Sequence, residues 1–179
     1  AIDGYFGLYI GADMMDSKSN LVSLGQSGLT LGEKEYYLDT DEATTAIREA
    51  YKQHIANMFG LCGWDEAAAQ QKMESVMRIE TRLAKASKSA TELRDPASNY
   101  HKMAYDELKA QFPGISWDAY CEALGLSGIS HVDVGQPEFF HEVEAIFADA
   151  DIEHTAAREL EEETTLTGIP LQLVGVFSK

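Results

Sequence analysis

The chain has 179 residues, enough for one domain with a hydrophobic core or for one domain plus an appendage. Its 30 acidic and 14 basic residues give a formal net charge of -16. A surface this acidic repels phosphate backbones, which argues against nucleic-acid binding. The sequence also lacks any apolar run of roughly 18 residues or more, so it predicts no membrane span. Residues 1–4 show neither the basic nor the apolar region of a signal peptide.

The N-terminal segment predicts a β-hairpin. Residues 5–10 are aromatic and β-branched, residues 21–24 form a second apolar run, and a polar stretch lies between them. The next segment, residues 27–32, contains two glycines and predicts irregular structure.

Helical patterns dominate the middle of the chain. A first helix is expected to begin near Glu42, with Thr40 or Asp41 as its cap, and to end at Gly60 and Gly63. Its predicted core positions are Ile47, Tyr51, Ile55 and Met58. A second helix, capped by Asp65, is expected to bury Met73, Val76, Met77 and Leu83.

Three shorter helices are predicted after the break at Pro96. They cover roughly residues 100–111, residues 117–124 with Ser116 as the cap, and a segment that starts at Pro137. The two cysteines, Cys62 and Cys121, have no CxxC partner and are expected to pack as small apolar residues in helices. Their spacing leaves open whether they form a disulfide.

The C-terminal tail has a different pattern. Residues 152–166 predict an acidic helix, and residues 169–177 predict an apolar strand for which the helical body offers no sheet. The sequence therefore predicts a mainly α fold, with an N-terminal β-hairpin and, at the C-terminus, an acidic helix plus a strand.

Residues 1–149 carry a series of motifs in a consistent order. These are FGLYIGAD at 6–13, SGLTLGEKEYYL at 27–38, RDP at 94–96, NYHKM at 99–103 and GQPEFF at 135–140. Together they resemble the N-terminal region of the neprilysin family of zinc metallopeptidases, which includes endothelin-converting enzymes. The resemblance implies a helical lid lobe over a chamber that admits peptides, and an extracytoplasmic location, periplasmic or at the cell surface.

The zinc site of that family lies in a separate catalytic lobe and needs an HExxH helix. The nearest string in this chain is HEVEA at 141–145, in which Ala145 replaces the second histidine. The other histidines are scattered and are expected to be surface or packing residues: His54, His101, His131 and His154. The chain therefore contains no zinc ligand set, and we expect it to be inactive as a peptidase on its own.

The tail from about residue 150 has a second resemblance. RELEEETTL at 158–166 resembles the Nudix box of metal-dependent hydrolases of nucleoside diphosphate derivatives. The resemblance implies that Glu159, Glu162 and Glu163 bind a divalent cation such as Mg²⁺ from one helix face. The box departs from the family at Thr165, where a glycine is usual, and at Glu144 and Ala150, where an upstream glycine and glutamate are missing.

Two partial domains are thus expected, residues 1–149 and 150–179. Because one pattern stops in mid-helix and the other starts in mid-motif, a fused or misassembled reading frame, or a chimeric fragment, is one interpretation of the junction. Three functions remain open at this point. They are a peptidase lobe without the zinc site, a partial Nudix hydrolase acting on compounds such as ADP-ribose, and a non-enzymatic helical binding module.

Overall fold

A computed structural model of the chain describes residues 4–149, which form two compact units. The sheet unit comprises residues 4–27 and 95–149, and the helical unit comprises residues 28–94. Within the described residues, no helix is both long and apolar enough to cross a membrane.

The sheet unit is built on four strands: β1 (Phe6–Ala12), β2 (Asn20–Gln26), β3 (Lys102–Ala104) and β4 (His131–Val134). Their order in the sheet is β1-β2-β4-β3. Strands β1 and β2 form the predicted antiparallel hairpin, with Leu8 opposite Leu24. Strand β4 runs parallel to β2 and antiparallel to β3.

Three helices belong to the sheet unit: α4 (Tyr105–Gln111), α5 (Trp117–Ala123) and α6 (Pro137–Ala148). Their apolar residues pack with the first strand into an aromatic core. The ring of Phe6 lies 5.2 Å from the rings of both Tyr120 and Phe140, measured between centroids. Trp117 is also buried, and its indole N–H donates to the carbonyl oxygen of Phe112 at 2.9 Å, so no polar atom of this side chain is left unpaired.

The helical unit contains α1 (Glu35–Leu38), α2 (Glu42–Leu61) and α3 (Glu66–Ala86). Asp41 and Asp65 cap the two long helices, since their carboxylates accept from the backbone N–H of Thr44 and Ala68. A short turn joins α2 to α3, and it contains Gly63 at a φ of 96°. The apolar core of this unit consists of Tyr37, Ile55, Met73, Met77 and Ala84.

The mainly α fold class and the N-terminal hairpin are confirmed. The sequence did not predict strands β3 and β4, which extend the hairpin into a four-stranded sheet. The helix expected over residues 100–111 begins only at Tyr105. Strands β3 and β4 have only three and four residues, too few for the alternation of apolar and polar side chains that predicts a strand.

Two details of the helices also differ from expectation. On α2, Ile55 is buried, but Ile47 and Met58 are 42% and 49% exposed. At 100° per residue they lie on the same flank of the stripe centred on Ile55, about 80° and 60° away from it. Ser116 precedes α5 as predicted, but its side chain makes no capping hydrogen bond.

The cysteines differ from each other in environment. Cys121 is buried on α5, as expected for a small apolar residue, whereas Cys62 follows α2 and is exposed. Both are free thiols.

Candidate functional sites

The predicted metal ligands of the tail, Glu159, Glu162 and Glu163, lie outside the described residues, as does His154. The predicted acidic helix and terminal strand lie outside them as well.

The HEVEA string of residues 141–145 lies on α6 and contacts the turn between α4 and α5. Glu144 accepts a hydrogen bond from the backbone N–H of Gly114 at 2.5 Å, which fixes the turn between α4 and α5. His141 is exposed, and its Nδ1 lies 3.7 Å from a carboxylate oxygen of Glu144. The position that would supply a second imidazole is Ala145, so this helix face does not fit a zinc ion.

The remaining described histidines are also dispersed. His54 and His131 are exposed, and His101 is half-buried with its Nδ1 3.0 Å from the carbonyl oxygen of Val134. Across residues 4–149, no group of three or more His, Cys, Asp or Glu side chains is arranged to hold a metal ion. The described residues therefore do not fit the zinc that the family resemblance implies.

A buried carboxylate, Asp13, joins three parts of the sheet unit. It accepts from the ammonium of Lys102 at 2.6 Å, the hydroxyl of Tyr100 at 2.7 Å and the backbone N–H of Met15 at 2.9 Å. The hydrogen bond from Lys102, followed by those from Met15 and Tyr100, lowers the pKa of Asp13 to about 2. Asp13 is therefore ionised at neutral pH, and it ties the end of β1 to the segment that leads into β3.

A second buried carboxylate, Asp133, lies on β4. Burial raises its pKa, and a hydrogen bond of 2.7 Å from the backbone N–H of His101 opposes that rise. Gln136 makes a comparable link at the end of the sheet, since its side chain accepts from the N–H of Gln26 and donates to Asn99.

The helical unit contains a third buried carboxylate, Glu80 on α3. It accepts from the hydroxyls of Thr30 at 2.7 Å, Tyr37 at 2.6 Å and Tyr51 at 3.0 Å. Burial, with a smaller contribution from Glu80, raises the pKa of Tyr37 and raises that of Tyr51 to about 12. Both phenols therefore keep their protons at neutral pH and donate to the carboxylate.

These networks are hydrogen-bonded throughout. Within residues 4–149, no buried side-chain nitrogen or oxygen lacks a partner. We therefore assign Asp13, Asp133 and Glu80 to the cohesion of the fold, since each carboxylate is occupied by donors from other segments.

The helical unit also has a surface groove between α2 and α3 with a volume of about 800 Å³. We call it the α2–α3 groove. The core residues Tyr37, Met73 and Met77 lie beneath it and are almost fully buried. Its basic lining residues are Arg48, Lys52, Arg78, Arg82 and Lys85.

Sequence reasoning did not identify the buried acids or this groove. A signal for Glu80 existed, because residues 73, 77, 80 and 84 share the buried face of α3 and a glutamate occupies one of these positions. A signal for Asp133 also existed, because a charged residue interrupts the β-branched string Val132–Val134. The groove depends on how α2 and α3 pack, and no local sequence pattern predicts it.

Comparison with known proteins gives a consistent result. A model of peptidase family M13, for its N-terminal part, matches residues 1–158, beyond the junction predicted near residue 150. Endothelin-converting enzyme 1 of Rattus norvegicus is 31% identical over 121 residues, which are 67% of this chain and 16% of that protein. The endothelin-converting enzyme homolog of Locusta migratoria is 30% identical over 117 residues, which are 65% of this chain and 16% of the relative.

A solved structure agrees at the level of the fold and of the sequence. The zinc metalloprotease ZMP1 of Mycobacterium tuberculosis, in its open state, superposes with a TM-score of 0.78 at 30% identity. The superposition covers 85% of this chain and 24% of ZMP1. The chain thus spans about a quarter or less of the length of these relatives, and because the family model covers most of its residues, it belongs to peptidase family M13, to whose N-terminal part it corresponds.

Proposed function

We propose that this chain supplies the helical substrate-chamber lobe of a zinc metalloendopeptidase that hydrolyses oligopeptides. The observation that carries the proposal is the match of residues 1–158 to the N-terminal part of peptidase family M13. The relatives are named as converting enzymes and as a zinc metalloprotease. In this proposal peptides are the partners, and the zinc is held by a catalytic lobe outside this chain.

We propose that the chain by itself is catalytically inactive. Peptide hydrolysis in this class requires a metal-activated water, and the sequence contains no HExxH helix. The described residues contribute buried carboxylates that are already occupied by hydroxyl, ammonium and amide donors. Their role is to shape a lobe, and bond cleavage is the task of the remainder of the protein.

A graft tests this role directly. The segment of ZMP1 that superposes on this chain would be replaced by residues 4–149, and cleavage of a fluorogenic peptide would be measured with and without a zinc chelator. We expect the graft to cleave in a zinc-dependent manner and the isolated chain not to cleave with zinc present. ZMP1 with that segment deleted is the control and is expected to be inactive.

Two outcomes would contradict the proposal. One is zinc-dependent cleavage by the isolated chain. The other is a graft that melts cooperatively and retains its zinc but does not cleave, because a lobe of the correct fold would then fail to perform the proposed role.

The Nudix-like alternative concerns only the tail and stays a prediction. It rests on residues 158–166, with Glu159, Glu162 and Glu163 as candidate Mg²⁺ ligands. The third alternative, a helical binding module, is compatible with a lobe that binds peptides without cleaving them.

A further inference from the structure

The α2–α3 groove concentrates positive charge in an acidic chain. Five of the 14 Lys and Arg residues line it, against two carboxylates, Glu49 and Glu74. Glu49 already pairs with Lys52 at 2.7 Å. The chain as a whole carries a net charge of -16, so this excess of cations is local and opposite in sign to the rest of the sequence.

The cations of α3 share one face of the helix. Arg78, Arg82 and Lys85 are at positions i, i+4 and i+7. Arg78 and Lys85 are exposed, and within residues 4–149 neither has a hydrogen-bond or ion-pair partner. Their charges are therefore available to a ligand, whereas an exposed i,i+4 ion pair would have been the ordinary arrangement for a solvated helix.

The facing helix supplies a cation that is held in place. The guanidinium of Arg48 donates to the carbonyl oxygens of Tyr36 and Asp39, each at 3.0 Å. These bonds fix the position of the side chain without neutralising its charge. Because α2 and α3 are joined by a short turn, the first half of α2 lies beside the second half of α3, which brings Arg48 to the same end of the groove as Lys85.

The shape and polarity of the groove indicate an extended peptide. Along α3 the lining runs from Gln70 to Lys85, roughly 22 Å at 1.5 Å per residue. That length accommodates about six or seven residues of extended chain. Gln53 and Gln70 offer amides that can pair with a peptide backbone.

We infer that the α2–α3 groove binds an extended acidic peptide segment, with carboxylates at the Arg48–Lys85 end. Guanidinium groups suit carboxylates because they can donate two parallel hydrogen bonds. A nucleic-acid ligand is disfavoured because the remainder of the chain would repel it. The inference concerns binding by this chain and stands whether or not the whole protein hydrolyses peptides.

Fluorescence anisotropy tests the inference on the purified chain. The probe is a fluorescein-labelled peptide of alternating glutamate and leucine, and the comparison peptide has glutamine in place of glutamate. We expect the acidic peptide to bind more tightly, and added salt to weaken that binding because the charges are exposed. Arg78→Gln with Lys85→Gln should weaken it roughly tenfold, since two exposed charge contacts are lost.

A matched variant controls for net charge. Lys18→Gln with Arg94→Gln removes two exposed cations that do not line the groove, and binding should stay within about twofold of the original. Thermal melting would establish that both variants fold.

Three results would overturn the inference. They are equal binding of the glutamine peptide, equal weakening by the control pair, and displacement of the probe by an oligonucleotide or inorganic phosphate as effectively as by unlabelled acidic peptide. The last result would assign the groove to anions in general.

Discussion

Ile55 lies in the apolar core of the helical unit and is 8% exposed, whereas Met58, one turn further along α2, is 49% exposed. Replacing Ile55 with alanine removes buried methyl and methylene groups and leaves a cavity. We expect Ile55→Ala to lower the free energy of unfolding by about 2–4 kcal/mol. Met58→Ala is the control and should change it by about 0.5 kcal/mol or less. Urea denaturation measures both, and equal effects would contradict the burial of Ile55.

Three hydroxyl groups donate to the two carboxylate oxygens of Glu80, so we expect its contribution to stability to come mainly from these hydrogen bonds. Glu80→Gln keeps the shape but turns one acceptor into a donor, which then faces the hydroxyl of Tyr37 or of Thr30 and Tyr51. We expect a loss of about 1–3 kcal/mol in the free energy of unfolding. Glu74→Gln, at an exposed position on the same helix, should have little effect. A similar loss of stability in both variants would mean that the hydrogen bonds to Glu80 do not stabilise the fold.

Asp13 should make the sheet unit sensitive to acid. Its pKa is lowered from 3.8 to about 2 in the folded chain, so the folded state favours the ionised form. The corresponding stabilisation is present above pH 3.8 and is lost as the pH falls toward 2. Asp13→Asn should remove this part of the acid dependence, as measured by denaturation at a series of pH values.

Asp133 provides the control, since its pKa is shifted in the opposite direction. Burial raises it, so ionisation of Asp133 opposes folding as the pH rises. Asp133→Asn should retain the loss of stability between pH 3.8 and 2 that Asp13 causes. If the Asp13 variant kept that loss and the Asp133 variant removed it, the assignment of the two groups would be wrong.

At the scale of elements, the end of α2 offers a test with two glycines. Gly60 lies in the helix with open space where a Cβ would be, whereas Gly63 has a φ of 96° in the turn that follows. Gly60→Ala should stabilise the protein by roughly 0.5–1 kcal/mol because alanine restricts the unfolded chain and favours helix. Gly63→Ala should destabilise it by about 1 kcal/mol or more, because a side chain strains the left-handed conformation.

Thermal denaturation of the two glycine variants gives the comparison. Shifts of the melting temperature in opposite directions are expected. A shift in the same direction for both would mean that α2 does not end where the structure places it.

At the scale of the whole molecule, the tail can be tested for Nudix chemistry. We expect no Mg²⁺-dependent hydrolysis of ADP-ribose by the chain, because the box lacks its upstream glycine and glutamate and has Thr165 in place of a glycine. Release of products would be followed by chromatography with and without Mg²⁺. Hydrolysis that requires Mg²⁺ and disappears in Glu162→Gln would contradict this expectation and assign a metal site to Glu159, Glu162 and Glu163.

The sequence by itself determined the features whose cause is local. The caps at Asp41 and Asp65 are recognisable because each binds an N–H only three residues away. The long helices and the hairpin are recognisable because their periodicity extends over many residues. The family was also identifiable from the sequence, because the motifs of residues 6–140 keep their order along one chain.

Only the tertiary structure decided the features that depend on distant pairing. Strands β3 and β4 are too short to be recognised alone, and β4 becomes a strand by pairing with β2, more than 100 residues earlier in the chain. Glu80 is buried because donors 29, 43 and 50 residues away converge on it. The α2–α3 groove exists because α2 packs beside α3, and the sequence alone does not predict which faces of the two helices are in contact.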